Sequence, residues 1–164
     1  MSINNLGDNM ICSFFGHRSI PQDIGELIKK SIADLIEAEP SDITFYVGNK
    51  GGFDRVVQYS LAQLREKYPE IKVFVVLDYL PVEKDNYFNL PTIMPDGFER
   101  VPKRFAMSHR NKWMIEQCDL AIVYCENIPS NTRKHIEMLK RKEKAVINIA
   151  DMVSFFLDNT DFIC

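Results

Sequence analysis

The sequence predicts an α/β domain built on a parallel sheet, a Rossmann-like three-layer sandwich. Short apolar runs stop abruptly at glycine or polar turns, a stretch with helical apolar spacing follows most of them, and the runs are nearly continuous rather than alternating. A strand reads as an unbroken apolar run when helices cover both faces of its sheet. Strand–helix alternation in turn implies parallel pairing through right-handed crossovers.

Residues 1–9 are polar and read as a loose leader without the basic and apolar regions of a signal peptide. Ile11 to Phe15 forms the first run, closed by Gly16-His17-Arg18. Ile24, Leu27, Ile28, Ile32, Leu35 and Ile36 then recur at helical spacing, with Pro21 near the start and Pro40 marking the stop. Ile43 to Val47 is the second strand, followed by Gly48-Asn49-Lys50-Gly51-Gly52 and a helix with Phe53, Val56, Val57, Leu61 and Leu64 on one face. Ile71 to Leu77 is the third strand.

The alternation pauses over residues 78–103, which hold four prolines, a glycine and scattered aromatics. A connection of this length inside a compact domain is usually functional, and it is expected to form a flap over one edge of the site. A helix is expected from about Arg104 to Cys118, a fourth strand over Leu120 to Cys125, and a helix from the polar turn after Glu126 to about Lys142. Ala145 to Ala150 is the fifth strand, and Met152 to Leu157 suits a short terminal helix. One domain spanning residues 1–164 is expected, with a five-stranded sheet in order 3-2-1-4-5. In that order the turns after Phe15 and Cys125 face each other across the switch-point crevice, where open α/β sheets bind ligands.

Composition narrows the function. The formal net charge is -3 and the pI about 5.6, so no global basic field recruits nucleic acid or acidic lipid. Four cysteines, Cys12, Cys118, Cys125 and Cys164, show no CxxC spacing and fit reduced thiols better than disulfides or a zinc site. No apolar run reaches the ~18 residues of a membrane span, and a cytoplasmic location is expected.

Three loops carry the chemistry-bearing residues. In the first, Gly16 permits close backbone approach, while His17 and Arg18 add a titratable ring and a fixed cation; a tight turn with a solvated arginine is the plain alternative. In the second, Gly48, Gly51 and Gly52 precede a helix N-terminus, where backbone N–H groups favour anions. It matches neither GxGxxG nor a P-loop. Asp54 falls in the first helical turn, where an acid also suits the helix dipole without any ligand. In the third, Ser130, Asn131 and Thr132 can cap the next helix or hold a phosphate. Arg110 and Asn111 lie in the helix before the fourth strand, with Arg110 flanking the face shared by positions 107, 111, 114 and 118. His109 and His135 read as surface residues rather than metal ligands.

The segments CSFFGHRSIP, FYVGNKGGFDRVVQYSLAQLREKYPEIKV, RNKWMIEQCDLAIVYC and SNTRKHIEMLKRKEKAVINI, in this order, resemble the YpsA-like branch of the SLOG superfamily. That superfamily groups Rossmann-like domains akin to the DNA-processing protein DprA and the Lonely Guy phosphoribohydrolases. The resemblance covers about residues 10–150. It implies a nucleotide or nucleotide-derived small molecule in the crevice, with no cofactor or metal, and it leaves a homo-oligomer open. By position, Gly16, His17 and Arg18 match the first loop of the family, Gly51, Gly52 and Asp54 the second, and Arg110 and Asn111 its arginine-containing helix. Ser130 to Thr132 stand where a Gly-Gly-Thr turn is expected.

The Lonely Guy motif PGGxGTxxE is replaced here by IPSNTRKHIE, and with Thr132 at the threonine position His135 falls where the glutamate would be. The leading expectation is therefore a binding or sensing module. The alternative is cleavage of a nucleoside 5'-monophosphate at its N-glycosidic bond, with Asp54 or Glu126 as acid/base and Arg18 and Arg110 on the phosphate. Nucleic-acid handling ranks last, because the sequence shows no concentrated basic and aromatic groove.

Overall fold

The computed structural model describes residues 9–38, 42–80 and 85–153. The leader up to residue 8, the Pro40 stop, residues 81–84, Cys164 and the terminal helix beyond residue 153 lie outside the described residues. In chain order the elements are β1 (Met10–Gly16), α1 (Gly25–Ala38), β2 (Ile43–Val47), α2 (Gly52–Lys67), β3 (Lys72–Val76), β4 (Thr92–Ile93), α3 (Lys103–Gln117), β5 (Leu120–Tyr124), α4 (Asn131–Arg141) and β6 (Ala145–Asn148). Residues 149–153 are helical.

All strand pairs are parallel, and the sheet order is β4-β3-β2-β1-β5-β6. The five expected strands keep their expected order, and Phe15 pairs with Val123 on the neighbouring strand. The expected strand count is corrected from five to six. The sixth strand, β4, comes from the segment expected to be a flap, and it joins the edge of β3 through register pairs Val75–Thr92 and Val76–Ile93. That segment is also anchored by buried Tyr87, Leu90 and Phe98. Phe98 packs edge-on against Trp113 and His109 of α3, so these residues belong to the body of the domain.

The continuity of the apolar runs follows from burial on both faces. Phe14 packs with Phe45 in the core beneath α1 and α2, whereas Phe15 joins Met114, Ile115, Ile136 and Leu139 beneath α3 and α4. Each buried side chain of this size contributes roughly 1.5–3 kcal/mol. Cys12, Cys118 and Cys125 are free and buried in these two cores, and burial raises the Cys12 thiol far above its usual range. Among the described residues, no helix is long and apolar enough to cross a membrane.

Candidate functional site

Parallel strands all end on one edge, so the turns after β1, β2, β3 and β5 gather there. The turn after β1 is the hinge of this edge. Gly16 has no Cβ because the Phe53 ring occupies that space. The Arg18 carbonyl accepts the Gly52 N–H at 2.7 Å, and the His17 carbonyl accepts the Phe53 N–H at 3.4 Å. Gly51, at φ 92°, and Gly52 are required by this contact: a Cβ on Gly52 would fall 2.6 Å from the Arg18 oxygen. Two of the amides at the α2 N-terminus are thus engaged by the chain itself. The Arg18 side chain is exposed and, among the described residues, enters none of the ion pairs.

His17 joins the first loop to the third. Its Nε2 accepts the Glu126 N–H at 3.0 Å, which places the proton of the neutral ring on Nδ1. The ring stands edge-on to Tyr124, whose hydroxyl donates to Glu126 Oε1 at 2.9 Å. Burial, and then this carboxylate, push the Tyr124 phenol up to about 12. Beyond it, Ser130 caps α4 by accepting the Arg133 N–H at 3.1 Å, and Arg133 folds back onto the Glu126 carbonyl. Asn131 is exposed and Thr132 buried at the same helix end.

A second cluster forms where β2 ends. Asp54 is 7% exposed and Arg110 only 3%, and both crowd the bare Cα of Gly48. Arg110 donates from Nη1 to Asn49 Oδ1 and from Nε and Nη2 to Asn111 Oδ1 at 3.2 and 3.0 Å. Asn49 continues the network by donating to Asp78 Oδ1 at 3.3 Å, and the Lys50 N–H donates to Asp54 Oδ2 at 3.2 Å. Burial lifts the Asp54 carboxyl to about 6, against the opposing pull of Arg110 and of the Lys50 N–H. Gln58 donates to the Gly48 carbonyl at 2.8 Å and pins the turn from below.

Two expectations change here. Arg110 is on the inward face of α3 with Ala106 and Met114: of the expected face at 107, 111, 114 and 118, positions 114 and 118 are buried, but the face continues through 110 and 106 rather than through 111 and 107. His135 is not a surface residue: it is half-buried, with its ring 5.3 Å from Phe15. Burial, and then the Arg110 cation, lower its imidazole to about 4, so it is neutral at physiological pH. The structure therefore unites Gly48, Asp54, Arg110 and Asn111 in one cluster. Gly16, His17 and Arg18 meet Gly51 and Gly52 in a second, and His17 meets Glu126. Asp54 and Glu126 belong to different clusters. Asn49, Asp78 and His135 were missed as members of the Arg110 cluster; the one legible signal was Asp78, an acid placed directly after an apolar strand.

The overall arrangement matches known structures. DNA processing protein A (DprA) from Streptococcus pneumoniae superposes with a TM-score of 0.64 at 18% identity, over 87% of this chain and 51% of that one. The chain thus spans about half the length of that structure. The chain has a DprA-like Rossmann fold. DprA from Helicobacter pylori, in a structure describing its single-stranded DNA binding mode, gives a TM-score of 0.51 at 12% identity, over 94% of this chain and 83% of that one. A molybdenum cofactor binding protein from Rippkaea orientalis gives 0.54 at 17%, over 93% and 86%. At these identities the DprA likeness concerns the fold. No protein-family profile and no curated protein matches the chain.

Proposed function

We propose that the chain binds or senses a nucleotide or nucleotide-derived small molecule, as a YpsA-like member of the SLOG superfamily, in the switch-point crevice at the carboxyl ends of β1 and β5. The observation that carries this is Arg18: an exposed guanidinium at the switch point, with its backbone held by the Gly52 N–H and its side chain outside the ion pairs of the described residues. Arginine supplies a planar, two-pronged donor suited to phosphate. Titration with AMP and with adenosine tests it. Clear preference for AMP supports the reading, and equal or absent binding of both removes it.

A second reading, hydrolysis of an N-glycosidic bond, is favoured by Asp54 alone. A buried carboxyl raised to about 6 retains a useful protonated fraction near neutrality and suits a general acid. Against it, the neutral ring of His135 stands where the Lonely Guy motif places its glutamate. Nucleic-acid binding ranks below both: the H. pylori neighbour binds single-stranded DNA, but this chain carries a net charge of -3.

A further inference from the structure

Two cations share one aromatic ring at the mouth of the Arg110 cluster. The Lys50 ammonium lies 4.8 Å from the centroid of Tyr79, and the Lys103 ammonium lies 5.0 Å from it. Lys50 Nζ also donates to the Tyr79 hydroxyl at 3.4 Å. The three residues come from separate elements: the turn after β2, the turn after β3 and the first position of α3. Each contact of this kind contributes about 0.5–1 kcal/mol at an exposed site, and two like charges drawn to one ring repel each other.

Nothing acidic among the described residues relieves that repulsion through an ion pair with either lysine. The chain has 23 acidic residues against 20 lysines and arginines, so acids are not scarce. The adjacent acid, Asp78, is buried, and its Oδ1 is occupied by the Asn49 amide and the Tyr79 N–H. The corner is also continuous with the proposed site. Arg18 backs onto Gly51, the residue after Lys50, its Cα 3.2 Å from where a Cβ on Gly51 would stand. Asn49, the residue before Lys50, holds Arg110.

We infer that Lys50, Lys103 and the Tyr79 ring between them form a second anion subsite beside Arg18, so that the ligand is a nucleoside diphosphate ester rather than a monophosphate. This rests on the proposed nucleotide site. Arg18 receives one phosphate and the paired ammonium groups the next, whose charge cancels their mutual repulsion. The ring fixes the lysine heads before the ligand arrives and so lowers the cost of ordering them.

Calorimetric titration of AMP, ADP, inorganic pyrophosphate and a twelve-residue oligothymidylate, against wild type and a Lys50→Gln/Lys103→Gln double variant, tests this. Wild type should prefer ADP to AMP by about tenfold, the scale of a charge-assisted contact at a partly exposed site. The double variant should keep its affinity for AMP and lose most of that preference. Tyr79→Phe, which keeps the ring, should retain the preference. Equal affinity for ADP and AMP in wild type, or a preference that survives in the double variant, overturns the subsite. Lysine-dependent binding of the oligothymidylate without binding of ADP also overturns it, in favour of a nucleic-acid backbone. Lysine-dependent binding of pyrophosphate with no binding of AMP would uphold the subsite and remove the nucleotide reading instead.

Discussion

Asp54 and Arg110 meet over the bare Cα of Gly48. A methyl group there would fall 2.5 Å from Asp54 Oδ2 and 2.9 Å from Arg110 Nη2. The glycine is required for space, and neither neighbour is free to retreat. Arg110 is held by Asn49 and Asn111, and Asp54 by the Lys50 N–H.

Gly48→Ala should therefore destabilise the fold by about 1–3 kcal/mol, the usual cost of overpacking a well-filled site. For a domain of this size, that lowers the melting temperature by about 2–4 °C per kcal/mol. Differential scanning calorimetry reads it directly, and an unchanged melting temperature would show that the cluster is loose.

The same cluster sets two opposed pH dependences. Asp54 is raised from 3.8 to about 6, so between those values the folded chain keeps a proton that the unfolded chain releases. Its contribution to stability is present at low pH and is lost as pH rises through about 6. His135 is lowered from 6.5 to about 4, so its contribution rises with pH over that interval. Urea unfolding at pH 4.5 and 6.0 should show Asp54→Asn gaining stability relative to wild type at the higher pH. His135→Gln should lose stability relative to wild type over the same interval. Identical pH profiles for all three proteins would contradict both assignments.

His17 ties the turn after β1 to the turn after β5 through one hydrogen bond, from the Glu126 N–H to Nε2. A single neutral bond of this kind contributes about 0.5–1.5 kcal/mol. His17→Ala should accelerate hydrogen exchange at the Glu126 amide by about two- to tenfold, the kinetic equivalent of that range. Nitrogen chemical shifts of the wild-type ring should report the Nδ1–H tautomer. An Nε2–H tautomer would break the proposed link.

The sheet was legible because both of its faces are covered. Phe14 and Phe15 point to opposite cores, so nothing in β1 apart from Ser13 needed to be polar, and the run showed as a run. The β4 region was not legible. Its approach is a left-handed turn of three consecutive non-glycine residues, Tyr87, Phe88 and Asn89, at φ 44°, 57° and 62°. No glycine marks that turn, and a two-residue strand has no period to detect. The site was half legible for a related reason. Glycines and motif positions can be read along the chain, but one partner of Arg110, Asn49, comes from 61 residues earlier, and a helical arginine reads as exposed until such neighbours are known.

With no carboxylate at the Lonely Guy position, wild type should release little or no free base from nucleoside monophosphates. Chromatographic assay for adenine after incubation with AMP reads this. Turnover near about 1 per second, within the ordinary enzyme range, would favour the hydrolase, and its loss in Asp54→Asn would then identify the acid.

The central claim is that Arg18 binds a phosphate at the switch point. A charge-assisted hydrogen bond from arginine contributes roughly 1.5–3 kcal/mol. Arg18→Ala should thus weaken AMP by about 10- to 100-fold and leave adenosine nearly unchanged. The melting temperature should stay constant, since the bond from Gly52 is made to the Arg18 backbone and survives the substitution. Calorimetric titration of both ligands against both proteins decides it. Equal weakening of AMP and adenosine, or a large fall in melting temperature, would make Arg18 a structural residue and contradict the account.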